Sequence, residues 1–133
     1  MSELAPLVSK LTADVDATAK GSDATIPVGV VPFAGSVTAV SYIAVSKITG
    51  AATNSRTLKL INEGPKGEGT TVVAELALLS GVNAAALAQT ALTLADAKKL
   101  IVAEDDVLVW KSEHVGEGLA DVGGEVCVSI ARS

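Results

Sequence analysis

The sequence predicts an all-β fold: an antiparallel β-sandwich of jelly-roll type with about eight short strands and an N-terminal arm. Three observations carry that expectation. From Ile26 onward, runs rich in Val, Ile and Thr recur at short intervals. Turns rich in Gly, Pro, Asn and Asp separate them. Several runs also alternate apolar and polar residues with period two, the mark of a strand with one buried face.

Residues 1–24 read differently from the rest, being rich in Ala, Asp, Ser, Thr and Lys and poor in β-branched alternation. The expected division is therefore an arm over 1–24 and a β-sandwich domain over 25–133, with Lys20-Gly21-Ser22-Asp23 as the hinge. Two readings of the arm stand side by side. It is a frayed terminus, or it orders against a neighbour through Leu4, Leu7, Val8 and Leu11, whose spacing suits a short amphipathic helical turn.

The strands follow in order. IPVGVVPF (26–33) is broken by Pro27, Gly29 and Pro32, which suits an edge strand or a bulge. SVTAVSYIAV (36–45) is apolar on both faces. TLKLIN (57–62) alternates, Leu58 and Leu60 against Thr57 and Lys59. TTVVAELALL (70–79) has helix-forming Ala, Glu and Leu, but its Thr-Thr-Val-Val start favours strand. QTALTL (89–94), KLIVA (99–103) and VLVWK (107–111) precede EVCVSIA (125–131), where Val126, Val128 and Ile130 point inward and Glu125 and Ser129 outward. NAAALAQ (83–89) suggests one helical turn within a connection.

Composition narrows function. A chain of 133 residues buries roughly two-thirds of its unfolded surface, enough for a core without disulfide or metal staples. Phe33, Tyr42 and Trp110 are the only aromatic residues, a poor platform for stacking sugars or single-stranded bases. A net charge of −5 disfavours phosphate-backbone binding. The first residues lack the basic start and apolar stretch of a signal peptide. No apolar run reaches the roughly 18 residues that span a bilayer. The expectation is synthesis in a cytoplasm, with no membrane partner and no nucleic acid.

The stretch GPKGEGTT (64–71) imitates a phosphate-binding loop, with Thr71 where a Mg²⁺-binding hydroxyl would stand. The imitation fails on chemistry. Thr70 occupies the position of the phosphate-binding lysine. The run before it carries Lys59, whereas a central parallel strand is apolar on both faces. GPKGEG instead reads as a hairpin loop in which Pro65 fixes one φ and the glycines accept positive φ.

No other catalytic or ligating constellation emerges. His114 is the sole histidine, in a surface loop without a second ligand at metal spacing. Cys127, the sole cysteine and opposite in phase to Val126 and Val128, reads as a small buried or subunit-facing thiol. Glu104, Asp105, Asp106 and Asp121 lack the spacing of a calcium loop and read as a solvated acidic turn. No cofactor and no metal are expected, and no enzyme.

Longer pieces taken together carry a resemblance. They include Thr49-Gly50-Ala51, Thr53-Asn54-Ser55-Arg56, Gly69-Thr70-Thr71, Gly81-Val82-Asn83-Ala84, Val115-Gly116-Glu117-Gly118 and Asp121-Val122-Gly123-Gly124. This succession, from Val31 to the C-terminus, resembles small β-sandwich virion proteins of tailed bacteriophages that decorate or cement the capsid. Asp105 stands where that pattern has Gly, and Val122 where it has Pro. The resemblance rests on turn residues and strand order. It implies a structural protein on the capsid exterior, made in the bacterial host cytoplasm, with the major capsid protein as partner.

A homo-oligomer, expected as a trimer, would explain the apolar surplus on both faces of 36–45 and 70–79. Burial of both faces inside one sandwich is the alternative. The residues expected to touch capsid or neighbouring subunits are Leu4, Pro6, Leu7, Val8 and Phe33. The rival readings are a tail or head-fibre component contacting the host, and a glycan-binding β module.

Overall fold

The computed structural model describes residues 7–133. Ten strands form two antiparallel sheets that pack face to face as a β-sandwich. In chain order they are β1 (Val8–Val15), β2 (Ala24–Val30), β3 (Gly35–Ala44), β4 (Ser55–Asn62), β5 (Thr71–Ala77), β6 (Thr90–Ala91), β7 (Thr93–Leu94), β8 (Ile101–Val102), β9 (Val107–Val115) and β10 (Gly124–Arg132). One sheet runs β1-β10-β3-β6, with β8 also paired to β3; the other runs β2-β9-β4-β5-β7.

Period two sorts the core. Val126, Val128 and Ile130 of β10 are fully buried, and so are Leu58 and Leu60 of β4 and Leu108 and Trp110 of β9. Each buried Leu or Ile contributes about 2 kcal/mol. Tyr42 and Trp110 meet between the sheets with ring centroids 5.3 Å apart. β2 is an edge strand whose register slips between Pro27 and Gly29, so that both features read from its prolines and glycine are present.

The GPKGEG stretch is the loop of the β4–β5 hairpin, with Gly64 and Gly67 both at φ 72 and free of neighbours at the Cβ position. Backbone of this hand favours glycine.

Several expectations need correction. The boundary at residue 24 is not visible in the fold. Val8–Val15 is a strand rather than a helical turn, paired along its whole length to β10. Its Leu11, Ala13 and Val15 pack on the core. The supposed hinge is a tight turn in which Ser22 N–H donates to Ala19 O at 3.1 Å.

NAAALAQ forms no helical turn; Ala84 and Ala86 make isolated bridges to Ile48 and Ala44. Among the described residues the one helix, α1, is the four-residue Ala97–Leu100, which takes Lys99 and Leu100 from the segment expected to be strand. QTALTL is not one strand but two. Thr90 and Ala91 pair with β3, Leu92 is buried, and Thr93 and Leu94 pair with β5 in the opposite sheet. β1 and this division account for ten strands in place of eight.

Much of the apolar content of 36–45 and 70–79 is buried within the chain, while Val45 and Leu79 at their ends stay 55% and 45% exposed. Val37, Val40, Tyr42 and Ala44 of β3 are buried. On β5 a register shift opposite Leu60 and Ile61 lets the consecutive Val73 and Ala74 both be buried. A bulge of this kind turns two neighbouring residues toward one side.

Candidate contact surface

The end of the sandwich where β10 finishes brings together three of the residues expected at contacts. β10 lies between β1 and β3. Arg132 N–H donates to Leu7 O at 2.9 Å on one side, and Arg132 is in register with Gly35 on the other. Two residues before Gly35, the Phe33 ring lies 5.6 Å from the guanidinium carbon of Arg132, a cation–π distance. Ser36 then pairs with Ile101 of β8.

This end therefore exposes apolar side chains near one cation but on two faces, since Leu7 has the phase of Leu11 and Ala13 and Val8 that of Lys10 and Thr12. Leu7 is 48% exposed, Val8 52% and Ile101 63%, whereas Phe33 is half-buried against the core. Leu4 and Pro6 lie outside the described residues.

This end is held by polar contacts from loops read as solvated. Asp106 is buried, and its Oδ2 accepts from Asn62 Nδ2 at 3.0 Å and from Ala103 N–H at 2.9 Å. It ties the β4 terminus to the turn before β9. Val31 N–H donates to Asp106 O, and Asp105 N–H to Val31 O. Phe33 is thereby presented from a fixed loop.

The opposite end carries a buried polar cluster that the sequence reading missed. Arg56 is fully buried and all five of its N–H donors have acceptors. Nε donates to Leu119 O at 2.7 Å, Nη1 to Ser112 O and Oγ at 3.1 Å each, and Nη2 to Ala19 O at 3.2 Å and Ser22 O at 2.9 Å. Such completeness is what burial of a guanidinium requires.

Asp121, expected in a solvated turn, is 1% exposed. Its Oδ2 accepts from Ser112 Oγ at 2.9 Å; its Oδ1 accepts from Tyr42 Oη at 2.7 Å and from Gly123 N–H at 3.0 Å. Burial, and next the bond to Asp121, push the Tyr42 phenol far above its ordinary range. The cluster joins β3 of one sheet to β4 and β9 of the other.

A signal for part of this was present. Arg56 continues the phase of Leu58 and Leu60, and Ser112 that of Leu108 and Trp110, so alternation alone turns both inward. Asp121 lies outside any strand, and no local pattern marks it.

His114 is on β9 rather than in a loop, half-buried, with Nδ1 2.6 Å from Asp23 Oδ1. The backbone N–H of His114 donates to the same oxygen at 2.8 Å. That bond first, and the ring second, hold the Asp23 carboxyl below its usual value. Cys127 is partly exposed on the outer face of its sheet, in register with Thr12 and Ser41. Among the described residues no group of three or more His, Cys, Asp or Glu could hold a metal ion, and no helix is long and apolar enough to cross a membrane.

The cluster is well suited to holding the sheets together and poorly suited to catalysis. Its polar atoms are mutually satisfied, and its members are closed off from solvent. Neither Tyr42 nor Trp110 offers an accessible ring. Comparison of the chain with family models, curated proteins and solved structures returns no match.

Proposed function

We propose that this chain is a non-enzymatic structural virion protein, a jelly-roll-type sandwich that decorates the outside of a tailed-phage capsid and bridges its major capsid protein subunits. The observation that carries this reading is the meeting of the Leu7 backbone and the Phe33 ring at Arg132 at one end of the sandwich, with the Leu7 and Val8 side chains exposed beside them. An apolar surface rimmed by a cation, presented from a rigid β scaffold, suits attachment to another protein. The likeness of the turn residues to phage decoration proteins supplies the partner.

Bridging would act mechanically. Each copy adds contacts across a capsid joint, and internal DNA pressure must break them before the shell opens. Repetition over the lattice lets weak individual contacts sum. A homo-oligomer, expected from the sequence as a trimer, belongs to this proposal, and the exposed Val45 and Leu79 are apolar surface open to it. Burial of Tyr42 and Trp110 disfavours the glycan-binding reading, because stacking needs an open ring.

The test is co-sedimentation with shells assembled from the major capsid protein of the same genome. Removing 1–24 would be uninformative, since it removes β1 and its core residues. Leu7→Ser with Val8→Ser leaves the core intact and is expected to weaken capsid binding about tenfold or more. A chain lacking residues 1–6 tests Leu4 and Pro6. Unchanged binding by both variants would sink this assignment of the surface, and failure of the unaltered chain to bind would sink the capsid reading.

A further inference from the structure

We infer that β1 is a self-association edge, through which two copies of this chain pair antiparallel about a two-fold axis at Thr12. The inference goes beyond the capsid reading and does not depend on it. It departs from the expected trimer by assigning two-fold symmetry.

β1 is the outermost strand of its sheet, eight residues long and paired on one side only, to β10. The carbonyl of Leu7 faces β10, since it accepts from Arg132 N–H. Backbone groups alternate sides along a strand. Ser9, Leu11, Ala13 and Val15 therefore turn their N–H and C=O toward β10. Val8, Lys10, Thr12 and Asp14 turn theirs outward. Among the described residues those outward groups have no partner, and all four side chains are exposed. An edge of this length is a template for another strand.

The other edges are defended. β2 is interrupted by Pro27 and its register shift, and β6, β7 and β8 have two residues each. Lys10 would ordinarily defend β1 as well, because a lysine on an edge meets a like charge or an apolar neighbour on pairing. Its spacing from Asp14 reverses that effect.

An axis at Thr12 sets Lys10 opposite the partner's Asp14, and Asp14 opposite the partner's Lys10, both on the outer face. Leu11 comes opposite the partner's Ala13 on the inner, apolar face. The outward backbone groups of Lys10, Thr12 and Asp14 then meet their counterparts as hydrogen-bonded pairs. An axis one residue earlier would set Val8 against Asp14 and Lys10 against Thr12. One residue later, Thr12 would meet Asp14. That later axis would also bring Lys10 opposite the partner's Asp16, but Asp16 lies past the end of β1, so only the axis at Thr12 forms two Lys–Asp pairs between residues of the strand itself.

A second observation points the same way. Asp14 lies directly opposite Glu125 of β10, two carboxylates side by side on one face, an arrangement that repels. Among the described residues neither forms an ion pair. A lysine from a second copy would place a cation beside them.

The experiment is the solution mass of the full chain over a concentration series, by light scattering after size exclusion. The unaltered chain is expected at twice the 13.3 kDa of one copy. Thr12→Pro removes an outward N–H that the single copy does not use, so the fold is retained and the mass halves. Lys10→Asp sets Asp against Asp twice and also halves the mass. Adding Asp14→Lys to it restores opposite charges and the doubled mass, a result that decides the matter even if the proline variant fails to fold. A chain that stays single at every concentration, one that runs at three times the mass, or a folded Thr12→Pro variant that keeps the doubled mass would each overturn the inference.

Discussion

Arg56 and Asp121 make no direct ion pair: Ser112 Oγ stands between them, accepting from Arg56 Nη1 at 3.1 Å and donating to Asp121 Oδ2 at 2.9 Å. The hydroxyl turns two buried charges into a hydrogen-bonded chain that ends on Tyr42 in the opposite sheet. Each charge keeps partners in directions the other cannot reach, which lets both remain buried.

Arg56→Met should therefore destabilise strongly. It strips donors from the carbonyls of Leu119, Ala19 and Ser22 and leaves the Asp121 charge without its relay to a cation. A loss of about 4 kcal/mol is expected from breaking a buried charged network, read as a lower urea midpoint. Arg56→Lys should recover little, because one ammonium cannot reproduce the fork. A loss under 1 kcal/mol would show the cluster to be dispensable.

Tyr42 is the sole tyrosine, so alkaline absorbance reports it alone. A phenol whose folded pKa is raised contributes stability that is complete below the unfolded pKa and is lost as pH rises above it. Phenolate absorbance should stay flat near pH 10, where an exposed tyrosine ionises, and appear together with unfolding. Tyr42→Phe should cost about 2 kcal/mol. Phenolate forming in a still-folded chain would contradict the bond to Asp121.

Asp23 gives the acid side of the profile. Its folded pKa lies below the ordinary 3.8, so its contribution is present above the unfolded value and is lost as pH falls through the folded one. Because the carboxylate is about half exposed, solvent and salt screen the effect and it should be small. Asp23→Asn should flatten the midpoint-versus-pH curve below pH 4 and leave it otherwise parallel. An unchanged acid limb would show that the His114 contact is not formed in solution.

Gly50 is required for space. A Cβ there would lie 2.0 Å from Leu79 O and 2.1 Å from Val82 O, both backbone atoms. Gly50→Ala should cost about 3 kcal/mol through overpacking. Gly67→Ala, in the open hairpin loop, meets only its positive φ and should cost about 1 kcal/mol. Thermal midpoints of the two variants compare the effects directly, and a smaller shift for Gly50→Ala would reverse this account.

Local pattern was sufficient for what local chemistry decides. Alternation in EVCVSIA placed Val126, Val128 and Ile130 inside, and Pro65 with its flanking glycines marked the β4–β5 turn, because side-chain phase and backbone hand are properties of a few consecutive residues. Partnership is not. QTALTL looks like one strand, yet it crosses between sheets at Leu92, since β3 lies open at one edge and β5 at the other. Val8–Val15 looks like an arm, yet β10 supplies the ladder that makes it a strand. Leu7 and Phe33 each reach Arg132 because β10 finishes between β1 and β3, and Asp121 becomes a buried anchor because Tyr42 and Ser112 reach it from opposite sheets. These meetings join residues far apart in the chain, and only the folded packing of both sheets brings them within bonding distance.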